Sequence, residues 1–290
     1  MLQWVRSVIY TVLLFLGTGV FGVIVLVSAL LLQPWWRRLR RARLRQRPFP
    51  AEWRRILRQR VPYLQRLPAD ALSVPFKVGE RLDYEVRFGS LKVGSGSMEV
   101  RDITEVRGRP VWHTVFKING GIPLYRVNDL YESWFDVTTL NSLRYHQDVD
   151  EGSYERTRRY EIFPERGMFK ENDRPEEPTV ANPLDDGSFL YFVRTVPLEV
   201  GKTYEYARYF KAAGNPVRIR VVRRETITVP GGTFKTVVLQ PTFQTKGIFS
   251  KNGKAEVWIT DDDRRMMVQM KSKLSFGSLN LYLRGSSGTK

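Results

Sequence analysis

The distribution of apolar and polar positions divides the chain into three stretches. From Val8 to Leu32 there are 25 consecutive residues without a charge, interrupted in polarity only by Thr11, Thr18 and Ser28. A run of about 20 apolar residues spans the hydrocarbon core of a bilayer as a helix, and this one suffices even when tilted. A secretory signal would carry a shorter apolar region followed by a small-residue cleavage motif. Here the run is followed by Gln33-Pro34-Trp35-Trp36-Arg37-Arg38, so the pattern predicts an uncleaved transmembrane helix over 8–32 after a short flank, 1–7.

In the second stretch, 33–75, apolar positions 49, 53, 56, 57, 61, 64 and 67 follow a helical spacing. Trp53, Ile56 and Leu57 share a face opposite Arg54, Arg55 and Arg58, which predicts a basic amphipathic helix that Pro62 breaks or kinks. Its apolar face fits either lipid or the domain that follows.

Beyond residue 76 the period becomes two. Leu82, Tyr84, Val86 and Phe88 alternate with Asp83, Glu85 and Arg87, the mark of a half-buried strand. Similar runs recur at 111–118, 154–163, 203–211, 216–229, 233–243, 254–260, 266–276 and 278–284. Pro230-Gly231-Gly232 and Asp261-Asp262-Asp263 punctuate them as hairpin tips, and Gly94–Gly96 suits a bulge or a close backbone approach. One exception is 184–194, where Asp185 or Asp186 can cap a short helix carrying Phe189, Leu190, Phe192 and Val193. Strands without intervening helices predict a mainly β domain over 76–284, an antiparallel curled sheet, sandwich or open barrel, with a flexible tail at 285–290.

Charge changes the picture once it is located. The formal net charge is +17, but residues 37–66 hold twelve Arg against the single acid Glu52 and supply +11 of it. Arg37, Arg38, Arg40, Arg41, Arg43, Arg45 and Arg47, beside Trp35 and Trp36, therefore read as a membrane-surface segment facing the lipid bilayer and its anionic headgroups. No nucleic-acid partner is expected, because the strands carry no basic stripe with interleaved exposed aromatics. The positive-inside rule assigns this flank, and the chain after it, to the cytoplasmic side of an inner membrane crossed once.

Candidate chemistry is sparse. Cysteine is absent, which removes disulfides, thiolate nucleophiles and thiolate-bound metals. Asp261–Asp263 and Asp148-Val149-Asp150-Glu151-Gly152 could offer oxygens to calcium, but both read better as turns, and neither has EF-hand spacing. An enzyme would need His113 or His146 to meet a carboxylate in a cleft, since a triad assembles in space. The expected site is apolar: Tyr84, Phe88, Trp112, Phe116, Trp134, Trp258 and Phe276 either line a cavity for a hydrophobic or lipid-like ligand or fill a packed core. The sequence thus suggests a membrane-anchored, non-enzymatic binding module with no cofactor or metal. The alternative is a scaffold or docking domain for an envelope protein.

Two resemblances bear on this. Trp36-Arg37-Arg38, Phe49-Pro50-Ala51-Glu52-Trp53, Val61-Pro62-Tyr63 and Leu67-Pro68-Ala69-Asp70 resemble the N-terminal segment of Mlc-titration-factor-type zinc peptidases. The catalytic H-E-x-x-H of that family is missing, so no peptidase activity carries over. Val78-Gly79-Glu80-Arg81-Leu82-Asp83-Tyr84-Glu85-Val86, Tyr131-Glu132-Ser133-Trp134-Phe135, Gly231-Gly232-Thr233-Phe234-Lys235-Thr236-Val237 and Val257-Trp258-Ile259-Thr260-Asp261-Asp262 resemble the family called domain of unknown function 3108 over residues 76–283. That resemblance implies a bacterial cell-envelope β protein, usually exported and without an established activity. It places the β domain on the side opposite to the one that the arginine count selects.

Overall fold

A computed structural model describes residues 74–122, 125–244, 255–274 and 277–289. The transmembrane and amphipathic helices expected from the sequence lie outside these residues, as do Trp35, Trp36, the seven membrane-surface arginines and Phe276. Among the described residues no helix is long and apolar enough to cross a membrane.

The alternating stretches become one antiparallel sheet. Its first half comprises β1 (Arg81–Phe88), β2 (Leu91–Val106), β3 (Arg109–Ile122), β4 (Tyr125–Asp136), β5 (Ser142–Glu151), β6 (Tyr154–Phe163), β7 (Met168–Glu171) and β8 (Glu177–Pro178). Its second half comprises β9 (Thr203–Tyr206), β10 (Val217–Val229), β11 (Gly232–Thr242), β12 (Glu256–Thr260), β13 (Met267–Leu274) and β14 (Gly277–Ser287). The 14 strands lie in the order β8-β7-β6-β5-β4-β3-β2-β1-β14-β13-β12-β11-β10-β9. Each half is therefore a meander, and β1 joins them by pairing with both β2 and β14.

A twisted sheet of so many strands must curl. This one curls until the segments beyond its two edge strands meet. Leu184, after β8, and Tyr209, after β9, form a parallel bridge, in which the Leu184 N–H donates to Arg208 O at 2.5 Å and Phe210 N–H to Leu184 O at 2.9 Å. The architecture is an open curled barrel made from a single sheet, and the two-layer sandwich drops out.

One face is enclosed, and the alternation sorts most strands, whereas β11 and β12 are buried on both sides at 236–239 and 257–260. Leu82, Tyr84 and Val86 on β1, Val217, Ile219 and Val221 on β10, and Val257 and Ile259 on β12 are buried in one core cluster. Curling brings backbones close where glycine allows it. Gly94 and Gly120 face each other across β2 and β3, and a Cβ on Gly94 would stand 2.2 Å from Asn119 O. Several strands were hidden in the sequence by polar content. Asp148 and Asp150 sit within β5, not in a turn, and only Gly152 turns. Asp261–Asp263 does connect β12 to β13, with Asp262 Oδ1 accepting from Arg264 N–H and from the Thr260 hydroxyl. The strand expected at 203–211 stops at Tyr206, because the chain then leaves the sheet to close the seam.

Candidate functional site

Inside the curl lies a short helix, α1 (Asp186–Phe192), packed against β3 and β4. The sequence marks it by a carboxylate followed by an apolar run, and the structure resolves the choice of cap: Asp185 is the N-cap. Its carboxylate accepts the Ser188 N–H at 2.8 Å, while the Ser188 hydroxyl sits 3.0 Å from the Asp185 N–H, closing a capping box. Asp185 and Ser188 are buried, so the remaining lone pairs need partners from the sheet. The Ser133 hydroxyl of β4 donates to Asp185 Oδ2 at 2.7 Å, and the Ser142 hydroxyl of β5 bonds both the Asp185 N–H and the Ser188 hydroxyl. Among the described residues no cation pairs with Asp185; burial pushes its carboxyl up to about 6. Asp186 accepts from the hydroxyls of Tyr145 and Tyr209, and burial raises it as well.

At the other end the chemistry is ionic. Arg194, just past the helix and fully buried, gives Glu80 two hydrogen bonds, Nη1 to Oε1 at 2.5 Å and Nη2 to Oε2 at 3.0 Å. Nη2 also donates to the carbonyls of Pro75 and Arg264, each at 2.9 Å. The Arg265 guanidinium in turn donates to the carbonyls of Arg194 and Val196. Between these ends the helix carries aromatics into the core. Tyr191 meets Phe76 edge-on with centroids 5.0 Å apart, Phe189 meets Phe243 at 4.7 Å and Phe192 meets Tyr206 at 5.0 Å. Burying each such ring contributes about 2–3 kcal/mol.

The six described members of the aromatic set do not all converge. Tyr84 is in the core, its hydroxyl donating to Met267 O at 2.9 Å. Trp112 and Phe116 pack against that core from β3, Trp112 edge-on to Phe76 and Phe116 stacked on Tyr131. Phe88 is half-buried at the end of β1. Trp134 and Trp258 face outward. Trp134 joins a separate small cluster with Val106, Val111 and Leu143, and the Trp258 indole donates to Glu225 Oε1 at 2.6 Å.

The outer face of β3, β4 and β5 brings both histidines together around Trp134. His113 stacks flat on the indole at 4.6 Å and His146 meets it edge-on at 4.7 Å. His113 lies between two carboxylates, Nε2 3.2 Å from Glu132 Oε1 and Nδ1 3.4 Å from Asp102 Oδ1. Burial, with Arg159 and Arg144 nearby, lowers the His146 pKa. This meets half of the condition for catalysis, a histidine beside a carboxylate. Among the described residues no serine or threonine hydroxyl bonds to either ring. Among those residues, no group of three His, Cys, Asp or Glu is arranged to hold a metal ion. A shallow groove of about 440 Å³ crosses β3–β6 and is lined by polar residues such as Lys117, Asp148 and Thr157; it contains none of the seven aromatics.

Sequence reasoning found the helix but not what anchors it. Arg194 at the end of the apolar run 189–193 was the available signal, since a charge there needs either solvent or a partner.

Solved structures are similar to this chain. A β-barrel-like protein of domain of unknown function DUF1849 from Brucella abortus is 10% identical, with 75% of this chain and 100% of that one covered and a TM-score of 0.50. A candidate lipoprotein from Parabacteroides distasonis is also 10% identical, covering 74% and 98% at a TM-score of 0.34. A candidate exported protein with a YmcC-like fold from Bacteroides fragilis is 12% identical, covering 74% and 98% at 0.29. No curated protein matches the chain. The family model described as "Protein of unknown function (DUF3108)" matches residues 83–284, which takes in nearly every strand described above, and the chain therefore belongs to the DUF3108 family.

Proposed function

We propose that this protein is a membrane-anchored, non-enzymatic domain of the bacterial cell envelope that works as a docking module through its outer surface. The observation that carries this reading is the occupant of the curl: α1 and its aromatic side chains take the place a guest would use. The anchor is the uncharged run 8–32, with the arginines of 37–47 at anionic headgroups. A domain whose interior is filled by its own chain retains its surface as the means of contact.

Photocrosslinking on intact cells tests this. A photoreactive residue in place of Lys117 or Thr157, both exposed on the outer face, captures a protein partner, whereas one in place of Phe116 yields only internal crosslinks. Lipid captured from Phe116 contradicts the proposal. Resistance to carbonate extraction checks the anchor, and a C-terminal reporter active on one side of the membrane chooses between the arginine count and the family habit.

A second reading, a hydrophobic or lipid-like ligand held on the inner face, is favoured by one atom. Trp112 Nε1 is buried without a hydrogen-bond acceptor, and a ligand oxygen would supply one.

A further inference from the structure

The seam of the curl carries an imbalance of charge that neither reading uses. On the inner face a single row runs across five strand pairings, from Leu82 through Met98, Phe116, Tyr131 and Gln147 to Arg158. It begins apolar at β1 and ends charged at β6. Beyond it, Glu171 at the end of β7 is buried, with 8% of its side chain exposed, and four cations surround it. Arg156 Nη2 stands 3.7 Å, Arg158 Nε 3.5 Å and Arg174 Nη1 3.8 Å from Oε1, while Lys211 Nζ stands 3.7 Å from Oε2.

Four positive groups and one carboxylate leave a local excess of +3. None of the four reaches hydrogen-bond distance of Glu171, so the carboxylate balances charge without satisfying donors. Lys211 donates to the Tyr160 hydroxyl at 3.0 Å and Arg156 to the Tyr154 hydroxyl at 3.1 Å. Arg158 Nε is buried and has no hydrogen-bond partner. Of the further acids that act on Lys211, Asp186 is already engaged by Tyr145 and Tyr209, and Glu177 is exposed. The cationic side chains are 25–63% exposed, so an anion reaches them from solvent. Lys211 comes from the far edge of the sheet, so the cluster straddles the seam and exists only when the curl is closed.

We propose that this cluster is a binding site for a phosphate group, held by Arg156, Arg158, Arg174 and Lys211 beside Glu171. Three guanidiniums offer paired N–H donors that match tetrahedral phosphate oxygens, and a dianion answers an excess of +3 better than a single carboxylate does. The aromatic floor of Tyr160, Phe169 and Phe210 is packed, with centroids 5.1–5.2 Å apart across Phe210, so the site takes a headgroup or small phosphate and not an acyl chain. The inference is independent of the docking role, which survives if the site is absent.

The test uses the full chain in neutral detergent, titrated calorimetrically with inorganic phosphate at fixed ionic strength. Saturable binding is expected, weakened about fivefold to tenfold by Arg174→Gln or Lys211→Met. Glu171→Gln tightens it, because the competing carboxylate is gone. Arg218→Gln, on β10 and paired with Glu205, leaves it unchanged. A soluble short-chain phosphatidic acid binding more tightly than phosphate identifies a lipid headgroup as the source; equal affinity identifies a free or soluble phosphate. No saturable binding up to about 10 mM, or equal weakening by Arg218→Gln, overturns the proposal. Arg174 is 63% exposed, so its variant folds and keeps the test decisive.

Discussion

The two ends of α1 are fixed to the same sheet by opposite chemistries. At its start, Asp185 is held by three serine hydroxyls and the Ser188 amide, with no counter-charge. Past its end, Arg194 is held by a bidentate ion pair and two carbonyls. At the hydroxyl-bound end burial raises the carboxyl, against the serine hydrogen bonds, so this end responds to mild changes of pH. A buried ion pair adds little net stability when intact, but removing one partner strands a charge. The comparison therefore predicts a helix that mutation releases most strongly at the ionic end and that pH tunes at the other.

The largest effect is expected from Arg194→Ala, which leaves Glu80 buried and unpaired. Thermal unfolding of the full chain should show a loss of about 3–5 kcal/mol, with partial rescue by the double variant Arg194→Met, Glu80→Gln. An Arg194→Ala chain as stable as the wild type would mean the ionic end is not an anchor. Next comes Gly187→Ala in the helix, whose new Cβ would stand 2.9 Å from Ser133 Cβ. Overpacking at that contact should cost about 1–3 kcal/mol in the same melt, although alanine is otherwise the better helix former.

The pH dependence sharpens the other end. The Asp185 carboxyl, ordinarily at 3.8, is raised to about 6 by burial in the fold. A raised folded value means the native state binds the proton more tightly than the unfolded chain. The contribution is thus fully present below about pH 4 and is lost as pH rises through about 6, on the order of 3 kcal/mol. Asp129, also raised to about 6, chiefly by burial, adds a slope of the same sign. Unfolding free energy followed from pH 4 to 7 should fall, and Asp185→Asn should flatten part of that slope; an unchanged slope would remove Asp185 from the account. The smallest effect is expected at the surface. Arg81 pairs with Asp83 and Glu99 while 44% exposed, and Arg81→Gln should shift stability by less than about 1 kcal/mol.

How much of this could be read from the chain depended on what each residue's neighbours say. The alternation Leu82, Tyr84, Val86 declares a strand and its inner face, and the carboxylate before Phe189 declares a helix start. The same alternation, read one residue further, separates Trp134 from Ser133 and Phe135, and Trp258 from Val257 and Ile259. Both tryptophans therefore face outward and cannot share a cavity with Tyr84. β5 was lost because its outward positions are polar enough, with Asp148 and Asp150, to imitate a turn. Partners across the fold were not legible: Glu80 and Arg194 are 114 residues apart, as are no features of local spacing. The seam at Leu184 and Tyr209 is likewise a meeting of distant segments, and so is the basic cluster it completes.

The most direct test of the central claim is the lipid content of the full chain purified from its own membranes in a mild detergent, quantified per chain after denaturing extraction. A curl occupied by α1 predicts no retained lipid beyond the detergent-exchangeable background, and the same result for Trp112→Phe. About one tightly held apolar molecule per chain, lost on Trp112→Phe or Phe116→Ala, would contradict the account and make the inner face a ligand site.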